Sequence, residues 1–452
     1  MTTKAIRERK RPRNIPQPNR TVQMISTGEL RPYPRNARTH SDRQIAQIAA
    51  SMRLTGFVGS ILAAPDGTII AGHGRLEAAK LLQLSEVPVT YLRHLNEAQI
   101  RAYRIADNRL AELAGWSTEL LSVEFSELSE VELDFELDLT GFENAEIDMM
   151  IDTTTAVPPP VETVPEPEAA PVSRIGDIWQ LGNHRLMCGS MLDAKARRAL
   201  LAGVTATMAF TDPPYNVPVA GHVCGLGTIQ HREFAMASGE MSEPEFTKFL
   251  TDAIDAHAAA LADAGILFAC IDWRHLRELL AAANACGLEV LNLCVWNKTN
   301  GGMGSLYRSK HELVLVLKKG AGPHINNVQL GRFGRYRTNV WDYAGVNSFG
   351  RDRMADLERH PTVKPIALVA DAIRDVSNRG AVVLDGFMGS GTTLLAAERT
   401  GRIAYGMEID PLYVDLAVRR WQDLGDGTAR LESSGASFER VAEERCAVGK
   451  PG

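Results

Sequence analysis

The stretch VVLDGFMGSGTTLLAAERT, residues 382–400, decides the fold of the second half of the chain. A short apolar strand, Val382–Asp385, runs into a glycine-rich turn, and a helix over residues 392–400 follows. Glycines let a backbone approach a ligand closely, and a helix N-terminus favours a bound carboxylate or phosphate. The stretch therefore predicts a ligand site between a strand and a helix. A plain tight turn is the alternative.

Three ligand classes compete for this turn. A phosphate-binding P-loop requires a lysine that the turn lacks, and a dinucleotide fingerprint requires a third glycine where Leu394 stands. A methionine-like group suits the turn better, with its carboxylate at the helix start and its ammonium near Asp385. Glu408, which follows the predicted strand Ile403–Met407, suits a ribose diol.

Strands and helices alternate around this stretch, which predicts an α/β fold with a mostly parallel sheet. The predicted strands are Thr207–Thr211, Ile266–Ile271, Val290–Trp296, Glu312–Leu317, Val382–Asp385 and Ile403–Met407. The predicted helices lie near residues 243–264, 273–286, 365–377, 392–400 and 411–421. This domain spans residues 172–435, between a Pro-rich linker at 152–171 and a loose tail at 436–452.

A second motif, Asp212-Pro213-Pro214-Tyr215, comes directly after the predicted strand Thr207–Thr211. Open α/β sheets bind ligands at the carboxyl ends of their strands. The amino group of a nucleobase is a weak nucleophile, because its lone pair is delocalised into the ring. Asp212 and the rigid carbonyl of Pro213 can each accept one of its N–H groups, and Tyr215 can stack on a base that has left the helix. A rigid Pro-Pro turn is the alternative.

The N-terminal part divides into a basic, disordered arm at residues 1–20 and a compact α+β domain at 21–115, with a helical extension to about 150. Ser41 and Gln44 form a helix-capping pattern, and Gly56 ends the same helix. Two strands and three further helices are predicted at Ser60–Ala64, Thr68–Ala71, Leu76–Leu84, about 96–112 and 117–130.

A formal net charge of −6 is not typical of a protein that binds nucleic acid. Binding depends, however, on the local electric field at the contact surface and not on the net charge. The segment Lys298–Arg337 is locally basic and carries glycines and aromatic residues, which suits phosphate and base contacts. A solvated loop is the alternative. The candidate nucleic-acid contacts are Lys298, Arg308, Lys310, Arg332, Arg335 and Arg337.

The six cysteines include no C-x-x-C pair, which is typical of reduced thiols in a cytoplasmic protein of bacterial or phage origin. No run of 18 apolar residues exists, so we expect no membrane span. His222, Cys224 and His231 stand in a Gly-rich segment. We interpret this segment as a mobile loop that closes over substrate, and we expect no metal.

Residues 174–425 resemble the beta class of N6-adenine/N4-cytosine DNA methyltransferases, in which a DPPY-type motif precedes an FxGxG motif. Three further stretches carry the resemblance: Gly176–Leu186, Trp296–Lys298 with His311–Val316, and His360–Pro365. The resemblance implies a seven-stranded, Rossmann-like sheet that uses S-adenosylmethionine. It assigns the target base to Asp212, Pro213, Pro214 and Tyr215, and the cofactor to Asp385, Phe387, Gly389, Gly391, Thr392, Glu408, Thr362 and Lys364.

Residues 22–95 resemble the ParB/sulfiredoxin-like N-terminal domain, on the strength of Pro32–Arg38 and Gly72–Ala79. The resemblance implies nucleotide binding or a DNA-associated role. Gly72, Gly74 and Arg75 stand at a helix start and are candidates for a phosphate grip. His73 and Gly74 replace the Glu-Arg pair of the partition proteins, so we do not expect nucleotide hydrolysis. A structural or DNA-positioning module is the alternative.

We therefore expect an enzyme that methylates double-stranded DNA at adenine N6, since Asp212 stands where serine is typical of cytosine N4 enzymes. Cytosine N4 methylation is the nearest alternative. Two others are a ParB-like DNA-binding protein with an inactive methylase module, and a methylase of RNA or of protein glutamine. A homodimer and a nucleotide bound at the N-terminal domain are further partner hypotheses.

Overall fold

The computed structural model describes residues 21–131, 133, 135–154, 165, 167, 170–217, 239–299, 301, 306–332, 334–344, 363–425 and 427–447. Its contacts divide the chain into two compact units, Met1–Glu143 and Asn144–Gly452. Each unit is described by itself. Within the described residues, no helix is both long enough and apolar enough to cross a membrane.

The first unit has the predicted α+β composition. Its four strands pair in the order β1-β4-β2-β3, with β2 and β4 parallel and the other two pairs antiparallel. A small apolar core that includes Ile61, Ile69, Leu76 and Val89 supports the sheet. The elements are β1 (Val22–Ser26), α1 (Asp42–Thr55), β2 (Ile61–Ala63), β3 (Ile69–Ala71), α2 (His73–Leu81), β4 (Glu86–Tyr91), α3 (Glu97–Glu112) and α4 (Thr118–Glu130).

Helix α1 begins and ends where its sequence predicts. The side chain of Ser41 accepts a hydrogen bond from the Gln44 backbone N–H at 3.2 Å, which satisfies one of the open donors of the first turn. Gly56 ends the helix with a φ of 77°, a conformation that glycine adopts without strain.

The second unit is built on a ten-stranded sheet in the order β11-β9-β10-β8-β7-β12-β13-β6-β5-β14. The strands are β5 (Ile178–Leu181), β6 (His184–Cys188), β7 (Ala206–Thr211), β8 (Leu261–Ile271), β9 (Glu289–Asn297), β10 (His311–Lys318), β11 (Val340–Asp342), β12 (Val382–Asp385), β13 (Ile403–Glu408) and β14 (Arg430–Leu431). The helices are α5 (Asn144–Thr154), α6 (Ala194–Leu201), α7 (Glu243–Ala260), α8 (Leu276–Ala285), α9 (Ile366–Val376), α10 (Thr392–Thr400), α11 (Pro411–Gln422) and α12 (Phe438–Ala447).

Seven central strands, β9-β10-β8-β7-β12-β13-β6, form the expected Rossmann-like sheet, in which six strands are parallel and β10 alone is antiparallel. Neighbouring residues such as Ala209 and Phe210 enter different apolar cores, because side chains alternate along a strand. Helices therefore cover both faces, and a ligand has access only at the strand ends.

The predicted loose tail at 436–452 is wrong for its described part. Residues 438–447 form helix α12, whose Phe438 and Val441 are buried in the main core. Its Arg445 forms an ion pair with Asp177, and its Nη2 lies 3.2 Å from the Asp177 Oδ1. The helix is short and largely charged, so its sequence does not reveal that its apolar residues are covered.

Candidate active site at the carboxyl edge of the sheet

The two motifs singled out in the sequence meet at one edge of the sheet. Strands β7 and β12 are parallel neighbours, with Ala209 opposite Leu384, so Asp212 and Asp385 leave the sheet side by side. Both motifs line one cavity of about 210 Å³. The residues that line it include Asp212, Pro213, Pro214, Tyr215, Lys364, Asp385, Phe387, Gly389, Thr392 and Glu408.

Two glycines of the β12–α10 turn have separate physical roles. Gly391 has a φ of 90°, and a Cβ there would lie 2.8 Å from the Cβ of Ala417 on α11, so this glycine allows close helix packing. Gly389 has a φ of 52°, and a Cβ there would meet no atom within 4 Å. Gly389 therefore borders the open space of the cavity, while Gly391 supports the turn from behind.

A buried histidine that the sequence analysis did not single out holds the start of this turn. His257 on α7 accepts the Gly386 N–H at its Nε2 (3.1 Å), and its Nδ1 lies 2.7 Å from the Ala253 carbonyl oxygen. Burial lowers the pKa of His257 to about 4, so the ring is neutral at physiological pH. Its position after 14 residues of an amphipathic helix carries no sequence signal that distinguishes it from an ordinary core histidine.

Two acids face the glycine turn from adjacent strands. Asp385 accepts hydrogen bonds from the Phe387 N–H (3.0 Å) and the Thr393 hydroxyl (2.6 Å), and Glu408 accepts the N–H groups of Gly389 (2.8 Å) and Asp410 (2.9 Å). Burial raises the pKa of Asp385 to about 7 and also raises the pKa of Glu408. Such carboxylates are suited to a cationic or hydroxyl-bearing ligand that compensates their lost hydration.

The DPPY-type motif lies within a cluster of buried charges. Asp212 accepts hydrogen bonds from the Tyr215 hydroxyl and from Lys364, whose Nζ is 2.5 Å from its Oδ2. The same Nζ is 2.8 Å from Glu312 Oε2, and Lys298 contacts the other oxygen of Glu312. Asp212 follows β7, Lys298 follows β9, Glu312 belongs to β10 and Lys364 precedes α9. The fold therefore brings together four charged groups that are far apart in the sequence.

The charges of this cluster support one another. Burial alone would raise the pKa of Glu312, but Lys364 and Lys298 outweigh it and hold that pKa well below its usual range. Burial likewise opposes the charge of Lys364, yet Asp212 and Glu312 raise its pKa above the ordinary value. Burial, with both acids, raises the pKa of Tyr215, so its hydroxyl stays a hydrogen-bond donor.

The sequence-predicted cofactor residues largely surround the cavity. Asp385, Phe387, Gly389, Thr392, Glu408 and Lys364 line it, although Lys364 faces Asp212. Thr362 lies outside the described residues, as do His222, Cys224 and His231. No cluster of potential metal ligands occurs in the part of the second unit that the structure describes.

The prediction of nucleic-acid contacts is wrong for Arg335 and Arg337. The Arg335 side chain is 6% exposed and lies 2.6 Å from Asp375, and Arg337 bonds to Asp375 (3.1 Å) and to the Tyr343 hydroxyl (2.7 Å). Both guanidinium groups pack against α9, where they neutralise buried acids. A basic segment in the sequence does not distinguish such internal cations from free ones.

The other predicted contacts lie in two places. Lys298, Arg308 and Lys310 lie in the β9–β10 connection, which leads into cavity-lining Glu312, and the latter two are exposed. Exposed Arg332 follows Asn327, whose side chain donates to the Arg374 and Ser377 carbonyls at the far end of α9. That end is about 16 Å from Lys364, given the rise of an 11-residue helix.

In the first unit, Gly72, Gly74 and Arg75 line a separate cavity of about 260 Å³, together with Arg38, His40, His73 and Asp107. Gly72 caps α2 with a φ of 103°. The Arg75 guanidinium donates to the Ser60 carbonyl at 3.2 Å. The phosphate grip stays a prediction.

Known proteins resemble both units. Three family models match the chain. The model described as DNA methylase matches residues 206–419, that of the ParB N-terminal domain matches residues 13–109, and that of the ParB-methyltransferase HTH domain matches residues 119–175. The ParB-like nuclease domain-containing protein YnaK of Escherichia coli K12 is 46% identical over 71 residues, 16% of this chain and 82% of that protein.

Two methyltransferases are also similar. The type II methyltransferase M.ScaI of Streptomyces caespitosus is 38% identical over 87 residues, 19% of this chain, and the chain spans 29% of its length. The solved structure of the PvuII DNA methyltransferase, which is cytosine-N4-specific, aligns at 16% identity and a TM-score of 0.42, over 63% of this chain and 98% of that one.

Proposed function

We propose that the chain transfers a methyl group from S-adenosylmethionine to adenine N6 in double-stranded DNA, because residues 206–419 match a family model described as DNA methylase and residues 13–109 match that of the ParB N-terminal domain. The observation that carries the proposal is the shared cavity, in which the Asp212–Tyr215 motif faces the glycine turn and its two acids. An amine and a methyl donor can therefore occupy one pocket.

The residues around the glycine turn fit this cofactor. The open space at Gly389 would accommodate a bulky cofactor. The N-terminus of α10 would bind the carboxylate of the cofactor, Asp385 would bind its ammonium group, and Glu408 would bind its ribose hydroxyls. When bound, S-adenosylmethionine supplies an activated methyl group on a cationic sulfur. Phe387 packs edge-on against Phe249, which fixes the wall of the pocket.

The chain's own residues prepare the base. Asp212 accepts one N–H of the extruded amine and the Pro213 carbonyl the other, which directs the nitrogen lone pair away from the ring plane. Tyr215 leaves Asp212 and stacks on the base. As the new N–C bond forms, the methyl–sulfur bond of the donor breaks and the sulfur leaves as a neutral thioether. The nitrogen releases one proton toward the Asp212 carboxylate, so charge does not accumulate on the product.

Asp at the first motif position favours adenine over cytosine, and product analysis tests this choice. Purified protein and labelled donor are incubated with mixed-sequence duplex DNA, and in parallel with RNA and with a protein extract, and the digested deoxynucleosides are separated by mass. We expect N6-methyl-2′-deoxyadenosine. N4-methyl-2′-deoxycytidine alone would redirect the assignment to cytosine, and labelled RNA or protein with unlabelled DNA would refute DNA as the substrate.

A further inference from the structure

Lys364 has more contacts with the base-binding motif than a cofactor residue requires. Its side chain is 5% exposed, and its Nζ lies 2.5 Å from Asp212, 2.8 Å from Glu312 and 3.2 Å from the Tyr215 hydroxyl. It also lies 5.8 Å from the centre of the Trp296 ring. A buried ammonium with these neighbours is held in one place by three polar partners.

Glu312 stabilises the charged form of the buried Lys364 side chain. A buried lysine between one aspartate and apolar walls would favour proton loss, whereas a second carboxylate keeps it charged. Lys298 balances the second carboxylate from the partly exposed side, so two cations face two anions. Each of these four charged residues comes from a different segment of the chain. Their ion pairs therefore hold four segments rigidly together at the cavity.

The contacts of Asp212 leave room for substrate. One of its oxygens accepts Lys364 and the other accepts Tyr215. A carboxylate offers about four lone-pair sites, so an amine N–H still finds an acceptor, and more so after Tyr215 moves. Lys364 stays in place during that exchange and prevents rotation of the carboxylate.

We propose that Lys364 and Glu312 are a positioning pair that holds the Asp212 carboxylate in the orientation needed to accept the target amine. This inference rests on the proposed function, because it assigns these residues to the same reaction. Neither residue contacts the reacting atoms. Both act through Asp212.

Lys364→Met tests the pair, because it keeps the length of the side chain and removes its charge. We expect kcat to fall roughly 100-fold, the usual effect of a misplaced catalytic group, while donor affinity measured by calorimetry stays unchanged. Glu312→Gln should produce a smaller fall in kcat. Lys318→Met is the matched control, since Lys318 is a largely enclosed lysine at the other end of β10, where it pairs with Glu289 at 2.8 Å, and its kcat should stay close to that of the wild type.

A pH profile separates positioning from a general loss of structure. Asp212, Glu312, Tyr215 and Cys270 face Lys364, and Glu312 also faces Lys298. In Lys364→Met, buried Glu312 keeps one cationic partner, so its pKa rises and the acid limb of the kcat profile moves to higher pH. In Lys318→Met the limb should not move, because the contacts of Lys364 with Asp212 and Glu312 remain.

Several outcomes would overturn the inference. They are weaker donor binding with unchanged kcat in Lys364→Met, an equal loss of kcat in Lys318→Met, or an unmoved acid limb in a Lys364→Met protein that melts like the wild type. A wild-type protein that transfers no methyl group to DNA would refute the proposed function instead. In that case a crystal structure of Lys364→Met still tests the positioning role of Lys364. An unchanged orientation of the Asp212 carboxylate in that variant would contradict this role.

Discussion

Asp212 and Asp385 lie at the same edge of the sheet in different environments, and this difference suits them to separate roles. Asp212 is paired with Lys364, whereas the described hydrogen bonds to Asp385 come from the neutral Phe387 N–H and Thr393 hydroxyl, and burial raises the pKa of Asp385. The first is therefore an ionised acceptor for a neutral amine. The second is a carboxyl group that becomes fully ionised when a cation arrives.

Substitutions at Asp212 and Gly389 should separate base chemistry from donor binding. Asp212→Ala should lower transfer at least 100-fold and leave donor affinity within a few-fold, because it removes the amine acceptor only. Gly389→Asp should abolish donor binding, since its side chain enters the open cavity and repels the donor carboxylate. Calorimetric titration with the donor decides, and equal donor affinities in the two variants would contradict this division.

The raised pKa of Asp385 predicts a pH-dependent donor affinity. Below about pH 7 the free protein holds a proton on Asp385, and a bound cation needs the ionised form, so binding releases that proton. Affinity should rise roughly tenfold per pH unit from pH 5 toward 7 and then level off. Asp385→Asn should bind weakly with no such slope. A flat profile in the wild type would exclude the proposed ammonium contact.

At the scale of elements, segments in which several sequence signals agree were predictable, and short strands without such signals were not. Helix α10 and strand β12 have the predicted bounds, because apolar periodicity, glycines and caps agree there. Strands β5, β6, β11 and β14 have two to five residues each and carry no period long enough to detect. Residues 144–154, expected as part of the N-terminal extension, belong to the second unit, where Asp148 pairs with buried Arg402.

The same limit applies to the site. Asp212, Tyr215, Asp385 and Glu408 were predictable, because motif and strand end coincide for each. Their grouping with Lys298 and Glu312 was not, since it depends on which strands become neighbours. That order is a property of the whole sheet, and no local pattern encodes it.

Helix α12 should be essential to the stability of the second unit. Phe438→Ala should lower the free energy of unfolding by about 3 kcal/mol, because a buried aromatic ring that packs 5.0 Å from Trp179 is lost. Glu443→Ala, on the exposed side of the same helix, should change it by less than about 0.5 kcal/mol. Chemical denaturation measures both, and equal effects would contradict a packed helix.

At the scale of the whole molecule, local charge decides DNA affinity in a chain of net charge −6. Exposed Arg308 and Lys310 lie in the connection that leads into cavity-lining Glu312, so replacing both by alanine should weaken DNA binding and reduce the slope of log K against log salt by roughly 2. Arg332→Ala, at the far end of α9, is the control and should leave that slope unchanged. Fluorescence anisotropy at several salt concentrations measures it, and a larger effect of Arg332→Ala would place the DNA on another face.

The proposed function requires that one cavity holds the methyl donor beside the base-binding motif. A crystal structure of the full chain with a non-transferring donor analogue would show this arrangement. We expect the ribose of the analogue against Glu408, its amino group against Asp385 and its sulfur-equivalent atom directed toward Asp212. An analogue bound elsewhere, or one whose reactive end points away from Asp212, would contradict it.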